Sequence, residues 1–368
     1  MIEFGDYRLN HPERISTPAM VVFEHLVDAN IAALCEMVGG ENLMVHVKTH
    51  KSEVVTKKQI AAGIAGFKCS TLVEVEMVLA AGGRELVYVM PMVQAIKADR
   101  FAELAGSYAD AELHAVVSRA EHVKVLGEAA ARAGRTLSAM VDIDLGMHRS
   151  GCDPAGEAEA IYRAVWDEPG LRCGGIHAYN GHIHETDLAE RDRLGEADVA
   201  LVKELVGRLE GAGMEAATVV GGGSFTFPYF AREAGWYGSP GTSVYWDLGY
   251  GEAIPDMPFR AAAMVLCQVI DRHVDQGTFT TDLGSKSIAS DPPMATRAGL
   301  IGHEVLEVVL QNEEHGVFRW AEALPEVGTY LLAVPRHVCP TTTMHRASLV
   351  VDVAGEVTGT WAHTARDR

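Results

Sequence analysis

Several features are scarce or missing in this 368-residue chain. Positive charge is the first: Lys+Arg number 31 against 50 Asp+Glu, a formal net charge of -19 at pH 7. Such a surface repels phosphate backbones and anionic lipid, which argues against nucleic-acid and membrane-surface binding but leaves room for a locally positive pocket around a small anion. No run reaches the ~18 consecutive apolar residues of a spanning helix. The opening MIEFGDYRLNHPER has no apolar core of the kind a secretory signal carries. The cysteines (35, 69, 152, 173, 267, 339) form no CxxC pair, so neither a zinc ribbon nor a disulfide framework is expected, and a reducing cytoplasm is the expected home. No GxGxxG occurs, hence no dinucleotide fingerprint. Internal repeats, low-complexity tracts and disordered linkers are likewise missing.

What is present is ordinary globular material, 48% hydrophobic and 22% charged, long enough to bury a sizeable core. From residue 43 to about 247, β-rich runs alternate with amphipathic stretches. The runs are LMVHV (43–47), AGFKC (65–69), ELVYVM (85–90), ELHAVV (112–117), LSAMVDI (137–143), LRCGGIHAY (171–179), AATVVG (216–221) and TSVYWD (242–247), with helical stretches at 54–62, 72–81, 119–133 and 189–210. Apolar strands separated by helices read as a parallel sheet, and eight of them as a closed (β/α)8 barrel of the TIM type. Beyond about 255 the runs 259–270, 278–283, 304–311, 329–335 and 347–353 read as a C-terminal β-rich domain, which TPAMVVFEHL (17–26) is expected to join. The expected division is therefore an α/β barrel over 20–252 and a β domain from 1–19 plus 253–368.

Barrel chemistry sits at the C-terminal ends of the strands. There the sequence places His46 and Lys48, then Asp142, Asp144 and Arg149, then the cluster HAYNGHIH (177–184), then the turns GGGSFTFP (221–228) and SPGTS (239–243). Alternation puts Met44, His46 and Lys48 on one strand face. A desolvated Lys48 would be a nucleophile toward carbonyls; the plain alternative is a lysine snorkelling to solvent. The two glycine-rich turns suit a phosphate, or are simply turns. His337 and Cys339, at i and i+2 in a segment read as extended, offer a two-ligand start for a divalent metal, or a buried cysteine beside a packed histidine.

Taken together, VHVKTHK (45–51), FKCSTLVEVEM (67–77), VDIDLGMHRSG (141–151), GIHAYNGHI (175–183), VGGGSFTFP (220–228), SPGTSVYWDLGYG (238–251), DLGSKSIASD (282–291) and HVCPT (337–341) resemble the D-threonine aldolase and D-serine dehydratase family. That family belongs to the alanine-racemase-like, fold-type III pyridoxal-phosphate enzymes, and the resemblance spans almost the whole chain in order. It implies a barrel carrying pyridoxal 5'-phosphate and a β domain bringing a divalent metal to the same site. By motif, Lys48 would form the Schiff base with the cofactor, beside His46. Arg149 would approach the phenolic oxygen, and His177, Tyr179 and His184 would line the ring. Gly222, Gly223 and Ser224, with Gly241 and Thr242, would hold the phosphate. His337 and Cys339 would hold the metal, for which Mn2+, Zn2+ and Mg2+ all remain open.

The implied activity is a lyase of the cytoplasm, splitting D-β-hydroxy amino acids of the D-threonine type into glycine and an aldehyde. His182 and His184 are both base candidates. The same parts could instead run β-elimination on D-serine or D-3-hydroxyaspartate, giving a 2-oxo acid and ammonia. The His-x-Cys pair resembles the dehydratase branch, whereas DLGSKSIASD and HVCPT resemble the aldolase branch. A racemase would leave the metal pair without a task. A cofactor carrier without turnover would need Lys48 and the turns but not the pair. A sugar-phosphate barrel enzyme would need no pyridoxal phosphate at all. The expected partners are a small amino-acid substrate and a second copy of the chain.

Overall fold

Eight parallel strands run in sequence order around one sheet: Met44–His46, Gly66–Cys69, Glu85–Tyr88, Glu112–Val117, Leu137–Asp144, Leu171–Tyr179, Val219–Gly221 and Trp236–Gly238. A parallel bridge between Leu43 and Gly238, and a hydrogen bond from the His46 amide to the Pro240 carbonyl (2.8 Å), bring the last strand back to the first. The sheet is thus a nearly closed TIM-like barrel. The computed structural model describes residues 1–216, 218–303, 305–320 and 323–367. Ala217 and Glu304, at or near the starts of two of the runs read from sequence, lie outside the described residues.

The helices between the strands follow local signals. Leu72–Ala81 starts where the Thr71 hydroxyl accepts a hydrogen bond from the Glu74 amide (3.1 Å) and stops at Gly82, whose φ of 101° is easy only for glycine. Leu188–Gly211 starts where the Asp187 carboxylate caps the Glu190 amide. Inside the barrel, Met44, Val87, Val116, Met140 and Val220 form a packed apolar layer. Two residues further along three of these strands come His46, Val89 and Asp142. The period of two therefore stacks a largely polar layer directly above the apolar one.

The eighth strand differs from the sequence reading. TSVYWD is not a strand: Thr242–Val244 is a turn of 3-10 helix and Asp247 caps a helix over Leu248–Ala253. The true strand, Trp236–Gly238, follows a helix of only five residues, Phe227–Ala231.

By contact density the barrel residues Leu34–Lys48 and Val55–Gly241 form one unit, and Met1–Ala33, Thr49–Val54 and Thr242–Arg366 another. The second unit is built on a sheet of mainly antiparallel strands. Ala263–His273 pairs with Ala19–Phe23, Tyr330–Pro335 and Thr278–Thr281, so the N-terminal strand does join it. Ala347–Val351 runs parallel to Ala19–Phe23 on its other side. Val265, Cys267, Phe279, Phe318, Leu331 and Ala333 are among its core. The strands Ala298–Leu300, Gly316–Trp320 and Val357–Ala362 went unread in the sequence. Among the described residues, no helix is long and apolar enough to cross a membrane.

Candidate active site

A pocket opens within the barrel unit, lined by His46, Lys48, Lys68, Val89, Asp142, Ile143, Met147, Arg149, Ser150, His177 and Tyr179. Six residues that the sequence placed at strand ends meet here: His46, Lys48, Asp142, Arg149, His177 and Tyr179. Lys48 leaves the first strand on a turn of 3-10 helix, Val47–Thr49, with its amide 3.3 Å from His46 Nδ1.

The register of the fifth and sixth strands pairs Asp142 with His177. Their side chains meet accordingly: His177 Nδ1 donates to Asp142 Oδ1 at 2.6 Å, and the Ser150 hydroxyl donates to Asp142 Oδ2 at 2.9 Å. With the Nδ1 proton committed to Asp142, Nε2 carries the lone pair, and it is buried with no hydrogen-bond partner among the described residues. Burial holds His177 below the ordinary histidine pKa, and the Lys68 and Arg149 charges act in the same direction against the pull of Asp142.

Arg149 is delivered by a stapled turn. Asp144 Oδ1 accepts from the amides of Gly146 and His148, both at 3.0 Å, and Oδ2 meets His148 Nδ1 at 2.9 Å. His148 sits at a φ of 52°, a left-handed conformation that these bonds hold in place. The Arg149 guanidinium then lies 5.0 Å from the Tyr179 ring centroid.

The glycine turn after the seventh strand needs its glycines. Gly222 has a φ of 73°, and a Cβ there would come within 2.8 Å of the Phe227 backbone; a Cβ on Gly223 would approach the Tyr179 ring at 3.1 Å. The Gly222 amide is taken by the Ala178 carbonyl and the Gly223 amide by Thr226 Oγ1. Asn180 ties this turn to the sixth strand, accepting from Thr226 Oγ1 at 2.5 Å.

Gly222, Gly223, Ser224, His182 and His184 are not among the residues lining the pocket. His182 and His184 are exposed on the loop after the sixth strand, His184 edge-on to Phe225. Gly241 closes the barrel unit, and Thr242 belongs to the β unit, 3.8 Å from Cys339 Sγ.

In the β unit, His337 is the extended residue that precedes a helix over Val338–Met344, so Cys339 lies in a first helical turn. The extended segment read from sequence is corrected here. The buried Asp247 carboxylate accepts the Val338 amide (3.0 Å) and so fixes the start of that helix. Its pKa is raised to about 6 by burial, against the lowering by its backbone hydrogen bonds. His337 Nδ1 is 2.6 Å from Asp291 Oδ2. Burial disfavours the charged imidazole, but hydrogen bonding to Cys339 and to Asp291 outweighs it and raises the pKa to about 9. Cys339 Sγ is 3.2 Å from Thr49 Oγ1. Among the described residues, no three His, Cys, Asp or Glu side chains assemble into a ready metal site.

Lys68 is the pocket residue the sequence reading passed over. It lies mid-strand, paired in register with His46, and is only 2% exposed. A lysine at an inward position of an otherwise apolar barrel strand was the available signal.

Comparison with known proteins agrees with this fold. The family model described as alanine racemase, N-terminal domain, matches residues 25–248. The chain belongs to that family. A second model, for a serine dehydratase domain, matches residues 262–351. A D-threonine aldolase of Arthrobacter sp is 27% identical, covering 96% of this chain and 93% of the relative. A D-threo-3-hydroxyaspartate dehydratase of Delftia sp. (strain HT23) is 28% identical, covering 94% of this chain and 97% of the relative. The crystal structure of D-threonine aldolase from Filomicrobium marinum superposes with a TM-score of 0.83 at 27% identity, covering 98% of this chain and 99% of that one. The aldolase and dehydratase resemblance read from the motifs is therefore borne out, and with it the alanine-racemase-like fold of pyridoxal-phosphate enzymes.

Proposed function

We propose that this protein is a pyridoxal-phosphate-dependent lyase that cleaves D-β-hydroxy amino acids of the D-threonine type to glycine and an aldehyde. The observation that carries the reading is the meeting of Lys48, Arg149, Tyr179 and the Asp142–His177 pair in one barrel pocket, in a chain similar over nearly its full length to a D-threonine aldolase. The pocket fits the cofactor: it offers an amine for an aldehyde, a guanidinium for an anionic oxygen, and in His177 Nε2 a buried lone pair awaiting a partner. When bound, pyridoxal phosphate supplies a carbonyl for amines and an electron sink for the bond broken at the α-carbon.

The chain's own residues do the rest. Lys48 would hold the cofactor through its amine, and its Nζ could hold a proton for the α-carbon. Arg149, oriented by the Asp144 staple, would neutralise the phenolic oxygen. His46, Tyr179 and His177 would flank the ring, Asp142 fixing the His177 tautomer. Ser224 with Gly222 and Gly223, and Gly241 with Thr242, would take the phosphate; the Gly223 amide now donates to the Thr226 hydroxyl, a partner that a phosphate oxygen could replace. His182 or His184 takes the proton of the β-hydroxyl. His337 and Cys339 would hold a divalent ion, Mn2+, Zn2+ or Mg2+, with Asp291 behind the imidazole as carboxylates commonly stand behind metal-bound histidines; such an ion would serve as a Lewis acid toward a hydroxyl oxygen. The protein works as a homodimer in the cytoplasm.

A dehydratase reading is favoured by the His-x-Cys pair and the similarity to the Delftia enzyme. The deciding experiment incubates the purified protein with D-threonine, pyridoxal phosphate and Mn2+ and quantifies products. Glycine and acetaldehyde support the aldolase; 2-oxobutanoate and ammonia replace it with the dehydratase.

A further inference from the structure

Lys68 is a buried amine that has no carboxylate partner among the described residues. Its Nζ donates to the Ser239 hydroxyl at 2.9 Å, and that hydroxyl in turn reaches the Gly222 carbonyl at 2.7 Å and the Gly221 carbonyl at 3.0 Å. Its other close neighbour is the Tyr179 ring, 5.2 Å from Nζ to the centroid. The ionisable groups around it are His46 and Lys48 at the first strand, Asp142 and Arg149 at the fifth, and His177 and Tyr179 at the sixth. Asp142 is the sole carboxylate among them, and both its oxygens are engaged by His177 and Ser150. The pocket therefore gathers three cationic side chains around one committed anion. Burial is the chief cause that lowers the Lys68 pKa, to about 7, with Lys48 and Arg149 adding to it and Asp142 opposing.

An enclosed amine in such company lacks an anion, and the hydroxyl that binds it is anchored on the carbonyls of the glycine turn read as the phosphate site. We propose that Lys68 is the countercharge of the bound cofactor, and that binding of the phosphorylated, phenolic ring is coupled to uptake of one proton at its Nζ. The inference rests on the reading that pyridoxal phosphate occupies this pocket. The chemistry is a single N–H bond formed with a solvent proton; no electrons are exchanged and nothing leaves. Lys68 is thus a positioning residue distinct from Lys48: it sets the affinity for the cofactor and its pH dependence, not the bond to it.

The test uses 4-deoxypyridoxine 5'-phosphate, which lacks the aldehyde and so leaves Lys48 unbonded. Calorimetric titration of the cofactor-free protein at pH 8, in buffers of different ionisation enthalpy, counts the protons taken up. In the wild type, uptake should exceed that of Lys68→Arg by close to one proton, and affinity relative to Lys68→Arg should fall about tenfold per pH unit above pH 7. Lys68→Arg keeps a permanent charge and all the other ionisable neighbours, so the difference isolates Lys68 from the ligand's own titration. Lys68→Met, checked for folding by circular dichroism, should bind the analogue more weakly without that extra pH dependence. Equal proton uptake and parallel affinity curves in wild type and Lys68→Arg overturn the inference alone. Failure of the wild type to bind the analogue overturns the cofactor reading and this inference together.

Discussion

Asp142 and His177 are paired residues of adjacent barrel strands, and His177 Nδ1 donates to Asp142 Oδ1 across 2.6 Å in the buried interior. Asp142→Ala would strand the Nδ1–H of His177 and the Ser150 hydroxyl together. An orphaned buried donor costs about 1–3 kcal/mol, so the urea midpoint should fall by an amount of that order. The His177 tautomer would no longer be fixed, and kcat should fall as well. A variant with unchanged stability and rate would show that the pair does neither job.

Acid should loosen the ligand-free fold well before carboxylates titrate. His122, His177, His345 and His363 all have pKa values lowered, in each case chiefly by burial. The unfolded chain therefore binds more protons than the folded one just below the ordinary histidine pKa of about 6.5, and stability is lost as pH falls through that value. Asp247, raised to about 6, and His337, raised to about 9, oppose this, because their folded forms gain a proton first. The four lowered histidines, joined by Lys68 lowered to about 7, outnumber these two raised groups, and the melting temperature should drop between pH 7.5 and 5.5.

Gly222→Ala combines a strained φ with a collision against the Phe227 backbone. Strain of this kind is worth about 1–3 kcal/mol. The expected result is a destabilised protein with weakened pyridoxal-phosphate binding, measured by urea unfolding and equilibrium dialysis. A variant of native stability and affinity would remove the turn from the cofactor site.

Metal dependence can be read one residue behind the proposed ligands. Asp291→Ala removes the carboxylate at His337 Nδ1, and loss of such a partner typically costs about 10–100-fold in metal affinity. The Mn2+ concentration for half-maximal activity should rise by that factor while cofactor absorbance stays unchanged. Chelation of the wild type should abolish activity, and added Mn2+ should restore it.

Much of the barrel was legible because its strands are apolar runs bounded by capped helices; Thr71 and Gly82 mark one such helix to the residue. The eighth strand was not. Trp236–Gly238 is too short to show a period, and the nearby apolar TSVYW is buried without being a strand. Within the site, Lys48 and Arg149 stood out because motifs flank them. Lys68 was hidden in a run that reads as core, since a side chain's inward direction is set by pairing with His46 rather than by its neighbours in sequence. His337 and Cys339 were found as a pair but with the wrong backbone between them, because a helix that begins at Val338 depends on the distant Asp247 carboxylate.

The meeting of the first and last barrel strands rests on the Leu43–Gly238 bridge and the bond from the His46 amide to Pro240. Lys48 follows on one side of that seam, and Ser239, which carries the glycine turn's carbonyls, stands on the other. A ligand bonded to Lys48 and gripped at that turn would stitch the seam shut. The barrel is then a ring with a clasp, and hydrogen exchange at the His46 amide would report how often the clasp opens.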